Sequence, residues 1–258
     1  MAKYSPQTEW FSIITKLKKV NSILFYVIFI TSILTPFIKD LPNLITILNI
    51  ILIISIIFSS SIRYTIQFYL FPRAEEVKRN DFFDNSYGKK YNIKSSEDYF
   101  TNEKIKKGNY KLLVNLFENS LFTCEVSSKM KIKKLFTFLP YVIILILISF
   151  WGFNNNFLAI PFLQLFLSVN IIGDLLTLFV FSNRNERIFN EIKNLFERMD
   201  GRDLTEEYLP EIINVYSSYE SNINWASIQL DSKIFHQINP EISTKWEEIK
   251  KRYNIGAI

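Results

Sequence analysis

LFTFLPYVIILILISFWGFNNNFLAIPFLQLFLSVNIIG, residues 135–173, holds 39 residues without a single Asp, Glu, Lys or Arg. A helix in a water-soluble domain must turn a polar face to solvent, so charges normally recur along it. One bilayer crossing takes about 20 apolar residues, and this run is long enough for two. It is interrupted at Trp151-Gly152-Phe153-Asn154-Asn155-Asn156, a polar turn cluster behind an aromatic anchor. Two further stretches, 20–38 and 41–62, are equally free of charge. The pattern predicts four spans, at 20–38, 43–62, 135–151 and 158–181. It excludes a purely water-soluble chain.

Working outward, the charges fall between these runs. Residues 1–19 carry net +3, 63–134 net +6 and 183–258 net −3, within an overall +5 for the 258 residues. Lys16, Lys18 and Lys19 precede the first run, Arg63 and Arg73 follow the second, Lys129, Lys131, Lys133 and Lys134 precede the third, and Arg184 and Arg187 follow the fourth. The two intervening turns offer only Lys39. Basic residues are retained on the cytoplasmic side, so both termini and the middle segment are expected there. The run at 20–38 exceeds the apolar core of a cleaved signal and no small-residue cleavage pattern follows it, so it reads as a retained span.

The expected organisation is an all-α membrane protein: a cytoplasmic segment 1–19, a hairpin of spans 20–62, a cytoplasmic insert 63–134, a second hairpin 135–182, and C-terminal helices 183–258 packing with the insert. Within the insert, Ile66, Tyr69, Leu70, Ala74 and Val77 form a helical stripe with Pro72 as a kink point. Residues 86–110 are polar and punctuated by Gly88 and Gly108. Helix resumes over Lys111–Lys134, where Leu112, Leu113, Leu116, Phe117 and Val126 share a side and a basic end leads into the third apolar run. In the tail, Ile188, Ile192, Leu195 and Phe196 mark one amphipathic helix, ended by Asp200-Gly201. Ile212, Ile213, Tyr216 and Tyr219 mark a second. Asn239-Pro240 is read as the start of a last helix carrying Ile242, Trp246 and Ile249.

Composition removes several chemistries. One cysteine, Cys124, excludes a disulfide framework and a thiolate zinc site, and one histidine, His236, makes an imidazole-based centre improbable. No acid–base pair stands out, so no enzyme, metal or cofactor is expected. Asp174 lies in the fourth span with Asn170 and Thr177 on its face. Two readings stand: a polar stripe that lines a pore or a helix contact, or a carboxylate near the cytoplasmic end that reaches water or Arg184. In the charge-dense stretch 73–85, Glu75 and Arg79 form an i,i+4 pair, and Asp81/Asp84 lack a third metal ligand at diagnostic spacing. Lys104, Lys106, Lys107 and Lys111, with Tyr91, Tyr99 and Tyr110, suit either phosphate and base recognition or an anionic lipid surface. Trp225 and Trp246 read as anchors rather than ligand stackers.

Arg73-Ala74-Glu75 through Asp81-Phe82-Phe83-Asp84-Asn85, then Tyr99-Phe100-Thr101-Asn102, then Phe117-Glu118-Asn119-Ser120-Leu121-Phe122-Thr123, and a tail with Tyr216 and Trp246, resemble the SMODS-associated four-transmembrane effectors of bacterial CBASS and Panoptes anti-phage systems. The likeness covers most of the chain. It implies an oligomeric, membrane-permeabilising inner-membrane effector controlled by a cyclic di- or oligonucleotide made by a partner nucleotidyltransferase, with no direct DNA or RNA partner. In CBASS such a ligand activates; in Panoptes it restrains. On this reading the ligand is expected at Arg73, Lys78, Arg79, Tyr99, Asn102, Lys106 and Lys107. The rival readings are a small channel or transporter subunit using the Asp174 face, and a membrane scaffold or immunity protein.

Overall fold

The computed structural model of the chain describes residues 5–38, 40–94, 96, 102–151, 171–203 and 205–256. Among the described residues it is helical and contains no strand. The helices are α1 Thr8–Leu34, α2 Pro42–Thr65, α3 Phe71–Tyr87, α4 Asn109–Trp151, α5 Ile171–Met199, α6 Leu209–Ala226 and α7 Ser232–Arg252. A 3-10 turn, Thr35–Ile38, follows α1, and a π turn, Ile66–Leu70, joins α2 to α3. The Phe71 N–H donates to Ile66 O across this turn. Pro72 brings no N–H to an α-helical ladder, and the wider turn just ahead of it lets the helix run on. The kink expected at Pro72 is therefore a π turn inside a continuous helix, Pro42–Tyr87.

The chain forms two compact units. One comprises Ser12–Phe71 and Lys133–Leu176. Here the usual distribution is reversed: Ile57 and Phe58 are 58% and 60% exposed, while Ser55 and Ser59 are buried. Ser59 Oγ donates to Asn21 Oδ1 at 2.7 Å, tying α2 to α1. Thr31 and Thr35 hydroxyls turn back onto the carbonyls of Val27 and Thr31, the usual way a hydroxyl is satisfied inside a helix. Polar groups inside and isoleucine outside suit a hydrocarbon solvent. Two helices, Thr8–Leu34 and Pro42–Tyr87, are long and apolar enough to cross a membrane. The Asn154–Asn156 turn and most of the fourth expected span lie outside the described residues.

The other unit comprises Met1–Phe11, Pro72–Ile132 and Thr177–Ile258. Its core centres on Phe117 of α4, which stacks on Phe196 of α5 with ring centroids 4.9 Å apart and meets Trp246 of α7 edge-on at 5.7 Å. The stripe Ile188, Ile192, Leu195 and Phe196 is buried as expected. Phe82 of α3 stacks on Tyr216 of α6 at 5.9 Å. Asn222 Nδ2 donates to Asn185 Oδ1 at 3.0 Å and to Phe181 O at 3.2 Å, closing α6 on α5.

Four local expectations are corrected. The last helix starts at Ser232, where the Asp231 carboxylate accepts the Lys233 and Ile234 N–H groups at 2.9 and 3.3 Å. Pro240 sits within it, because the buried face Ile234, Ile242 and Trp246 outweighs the one ladder bond that a proline removes. Ile213 is exposed, and Val215 takes the buried position between Ile212 and Tyr219. Tyr69 likewise points outward from its stripe. Helix from 111 does not end before the third apolar run but continues through it as α4, with Pro140 inside.

Candidate functional site

The helical unit holds a polar cavity of about 330 Å³ lined by Asp81, Asp84, Asn85, Ser96, Glu103, Lys107 and Lys111. Asp81, Asp84 and Asn85 come from one face of α3, at steps of three and four residues. Lys111 comes from the first turn of α4, and Glu103 and Lys107 from the loop before it.

The end of that loop nearest α4 is pinned to the end of α3. The Gly108 N–H donates to Ser86 O at 2.9 Å, and Tyr87 OH donates to Asn109 Oδ1 at 2.7 Å. Gly88 ends α3 at φ +70°, and a Cβ there would stand 2.7 Å from Lys107 Cδ and Nζ. The positive φ favours glycine here, and an added Cβ would make the flexible end of the Lys107 side chain move.

The two aspartates clamp the chain that follows α3. Asp84 accepts the Tyr91 N–H at 2.7 Å with Oδ1 and the Asn92 N–H at 3.0 Å with Oδ2. Asp81 Oδ1 accepts the Ser96 N–H at 2.8 Å. Its Oδ2 is buried without a partner. Burial pushes the Asp81 carboxyl above the ordinary carboxylate range; the Ser96 hydrogen bonds oppose this and the Asp84 charge adds to it. Among the described residues no group of three potential ligands gathers around a metal position.

Lys111 is 3% exposed. It makes no hydrogen bond or ion pair among the described residues. Burial lowers its ammonium pKa, the Lys107 charge lowers it further, and Glu103 opposes them. Lys107 and Lys111 share the pocket with the carboxyl groups of Asp81, Asp84 and Glu103, and α4 adds the positive pole of its N-terminus. Sequence reading placed Lys111 in a basic cluster suited either to phosphate and base recognition or to an anionic lipid surface. The signal for its burial was its place at the head of the run Lys111–Phe117, in which every residue is buried.

The remaining expected ligand residues are distributed as follows. Arg73 pairs with Glu76 at 2.6 Å, Lys78 with Glu75 at 3.1 Å, and Arg79 with Glu220 at 3.4 Å. The expected Glu75–Arg79 pair is therefore replaced by Glu75–Lys78, the i,i+3 neighbour, because Glu220 on α6 engages the arginine. Asn102 is buried in a network: its Nδ2 donates to Asn115 Oδ1 at 3.1 Å and Glu118 Oε2 at 2.7 Å, while Asn115 Nδ2 donates to Asn85 Oδ1 and Ser86 Oγ at 3.0 and 3.2 Å. Lys106 is exposed, and Lys107 alone of the expected set lines the cavity. Tyr99 lies outside the described residues. Tyr110 is a core group, edge-on to Phe196 at 6.3 Å.

Of the expected membrane polar face, Asn170 lies outside the described residues and Thr177 is half-buried. Arg63, Lys134 and Lys18 act on the Asp174 carboxylate. Arg184 lies over the Trp225 ring at 4.7 Å, and Trp246 is an anchor in the core.

No family model, curated protein or solved structure matches the chain.

Proposed function

We propose that this chain is a multi-pass effector of the bacterial inner membrane that acts in anti-phage defence by permeabilising the bilayer, under the control of a cyclic di- or oligonucleotide bound on its cytoplasmic side. Four spans in two hairpins, with both termini and the 63–134 insert in the cytoplasm, complete the reading, and a homo-oligomer forms the leak. The protein is a ligand-gated device rather than an enzyme.

One observation carries the proposal: a chain with membrane-length apolar helices also contains a polar pocket in which acidic and basic side chains, among them Asp81, Asp84, Lys107 and Lys111, meet. A passive membrane anchor has no use for such a cavity, whereas a gated protein requires a ligand site. The resemblance at 73–85, 99–102 and 117–123 supplies the biological setting. A ligand shifts an equilibrium only through differential affinity for two conformations, and the loop pinned by Asp81 and Asp84 gives such affinity a place to act. The rival reading is a channel centred on Asp174, on whose carboxylate Arg63, Lys134 and Lys18 act.

Isothermal titration of the detergent-solubilised chain against cyclic di- and trinucleotides is the first test: binding of at least one is expected, and binding of none overturns ligand control. Dye entry into expressing cells is the second. Cells that stay sealed both with ligand present and with it depleted overturn permeabilisation. Reporter fusions after residue 93 should report cytoplasm, and an external location there overturns the topology.

A further inference from the structure

We infer that the compact unit formed by Ser12–Phe71 and Lys133–Leu176 carries, at one end, a collar of basic and aromatic side chains that engages the headgroups of anionic phospholipids. The inference rests on the reading of α1 and α2 as membrane spans. It is independent of the cyclic nucleotide and of the effector role.

The charge of this unit is one-sided. Its acidic residues are Asp40 and Asp174. Asp40 lies in the turn between α1 and α2, at the far end of that hairpin from residues 16–19 and 63. The other end therefore holds six cations against the single carboxylate of Asp174: Lys16, Lys18 and Lys19 on α1, Arg63 on α2, and Lys133 and Lys134 on α4. Lys18, Arg63 and Lys134 all act on Asp174 of α5, so the basic positions of three helices gather at the level of one carboxylate. That carboxylate offsets one charge. Lys16 and Lys19, on the same turn of α1 as Lys18, are exposed.

The apolar surface changes character at the same level. Along α2 the exposed side chains are largely isoleucine, at Ile47, Ile50, Ile53, Ile54 and Ile57. Past Arg63 they become Tyr64, Phe68 and Tyr69, each more than half exposed, with the Tyr64 and Phe68 rings stacked 5.8 Å apart. On α4, Phe136 is similarly exposed, two residues beyond Lys134. Branched aliphatic side chains suit the hydrocarbon core, whereas amphipathic aromatic rings collect at the headgroup level. Lys and Arg extend from that level along their own methylene stems toward the phosphates.

These features commit the surface to one occupant. The exposed isoleucine face adjoins the collar, and a soluble protein or a nucleic acid would leave that face in water. A lipid covers both, its acyl chain on the isoleucines and its headgroup on the collar. The excess of positive charge selects anionic over zwitterionic headgroups.

The experiment is electron spin resonance of the full chain reconstituted in phosphatidylcholine vesicles, with trace spin-labelled phosphatidylglycerol or spin-labelled phosphatidylcholine. Lipid in contact with the protein gives a motionally restricted component, and its size for the two probes gives their relative association constant. At low salt phosphatidylglycerol should be preferred by about fivefold or more, the contribution of one lysine near an anionic surface. Raising NaCl to about 0.5 M should bring the ratio close to one, as screening shortens the reach of exposed charges. Lys16→Gln/Lys19→Gln/Lys134→Gln should reduce the low-salt preference to below about twofold. Lys16→Gln/Lys19→Gln, confined to exposed side chains, should lose a smaller part of it and melt in detergent as wild type does, which keeps the test open if the triple variant fails to fold.

A restricted component that takes up both probes equally at low salt overturns the collar and leaves the spans standing. So does a preference unchanged in the variants. No restricted component for either probe overturns the spans and the collar together.

Discussion

The Arg79 guanidinium donates to the Glu220 carboxylate at 3.4 Å, joining α3 to α6 across 141 residues of sequence. Burial pushes the Glu220 carboxyl upward and Glu75 adds to this, while Lys78 and Arg79 draw it down. Arg79 is thereby a structural tie. Arg79→Ala should lower stability by about 0.5–1 kcal/mol, because the guanidinium is 36% exposed and solvent screens the pair. Adding Glu220→Ala should restore part of that loss, as the stranded carboxylate is removed. A double-mutant cycle of thermal melts in detergent measures the coupling; additive effects would refute the tie.

Phe117 is the centre of the helical unit, fully buried between Phe196 and Trp246. Phe117→Ala should destabilise it by about 3–5 kcal/mol through lost transfer energy and an unfilled cavity. Because the ring touches Trp246, the same substitution should shift tryptophan emission to longer wavelength. An unchanged melt would place the core elsewhere.

Asp81 predicts a pH dependence with a defined sign. Its folded carboxyl is raised above the ordinary value of 3.8 by burial first. Its contribution to stability is therefore fully present below that ordinary value and is lost as pH rises through the raised one. Asn at this position keeps an acceptor for the Ser96 N–H and never ionises. Asp81→Asn should thus melt higher than wild type at neutral pH, and the difference should vanish in acid below the ordinary carboxylate range. A variant that melts lower at neutral pH would mean that the carboxylate is stabilising as an anion.

Cys124 should be chemically quiet. Burial first, then Glu125 and Glu186, push its thiol from 9.0 to about 11, against Lys245 and Lys131. At neutral pH its thiolate is about a hundredfold scarcer than that of an ordinary thiol. Maleimide labelling of the folded chain should be slower than that of the denatured chain by about the same factor, and equal rates would contradict the assignment.

What could be read from sequence was what depends on periodicity. The steps of three and four through Ile188, Ile192, Leu195 and Phe196 identify the α5 face, and the absence of charge at 20–38 and 41–62 identifies the apolar helices, because both follow directly from which solvent each side chain must meet. The start of α7 was missed because Asn239-Pro240 carries a strong local signal, while Asp231 shows its capping role only through the two N–H groups it accepts. The ion pairs of α3 were partly misread for a related reason: Glu220 lies too far along the chain for any spacing rule to find it. At the candidate site the lysines were visible as a cluster. Their inequality in exposure was not, and the clamping role of Asp81 and Asp84 depends on backbone groups 7 to 15 residues away.

The hydroxyl-in, isoleucine-out arrangement around Ser59 and Asn21 also bears on how that unit coheres. Among acyl chains, one branched side chain gains little by touching another instead of a lipid tail, so the hydrophobic effect supplies almost no glue between such helices. In a bilayer, their association would rest on close van der Waals fit and on a few polar stitches such as the Ser59–Asn21 bond, each worth about 0.6 kcal/mol on average. A body sewn so lightly can trade its internal neighbours for those of another copy at small energetic expense.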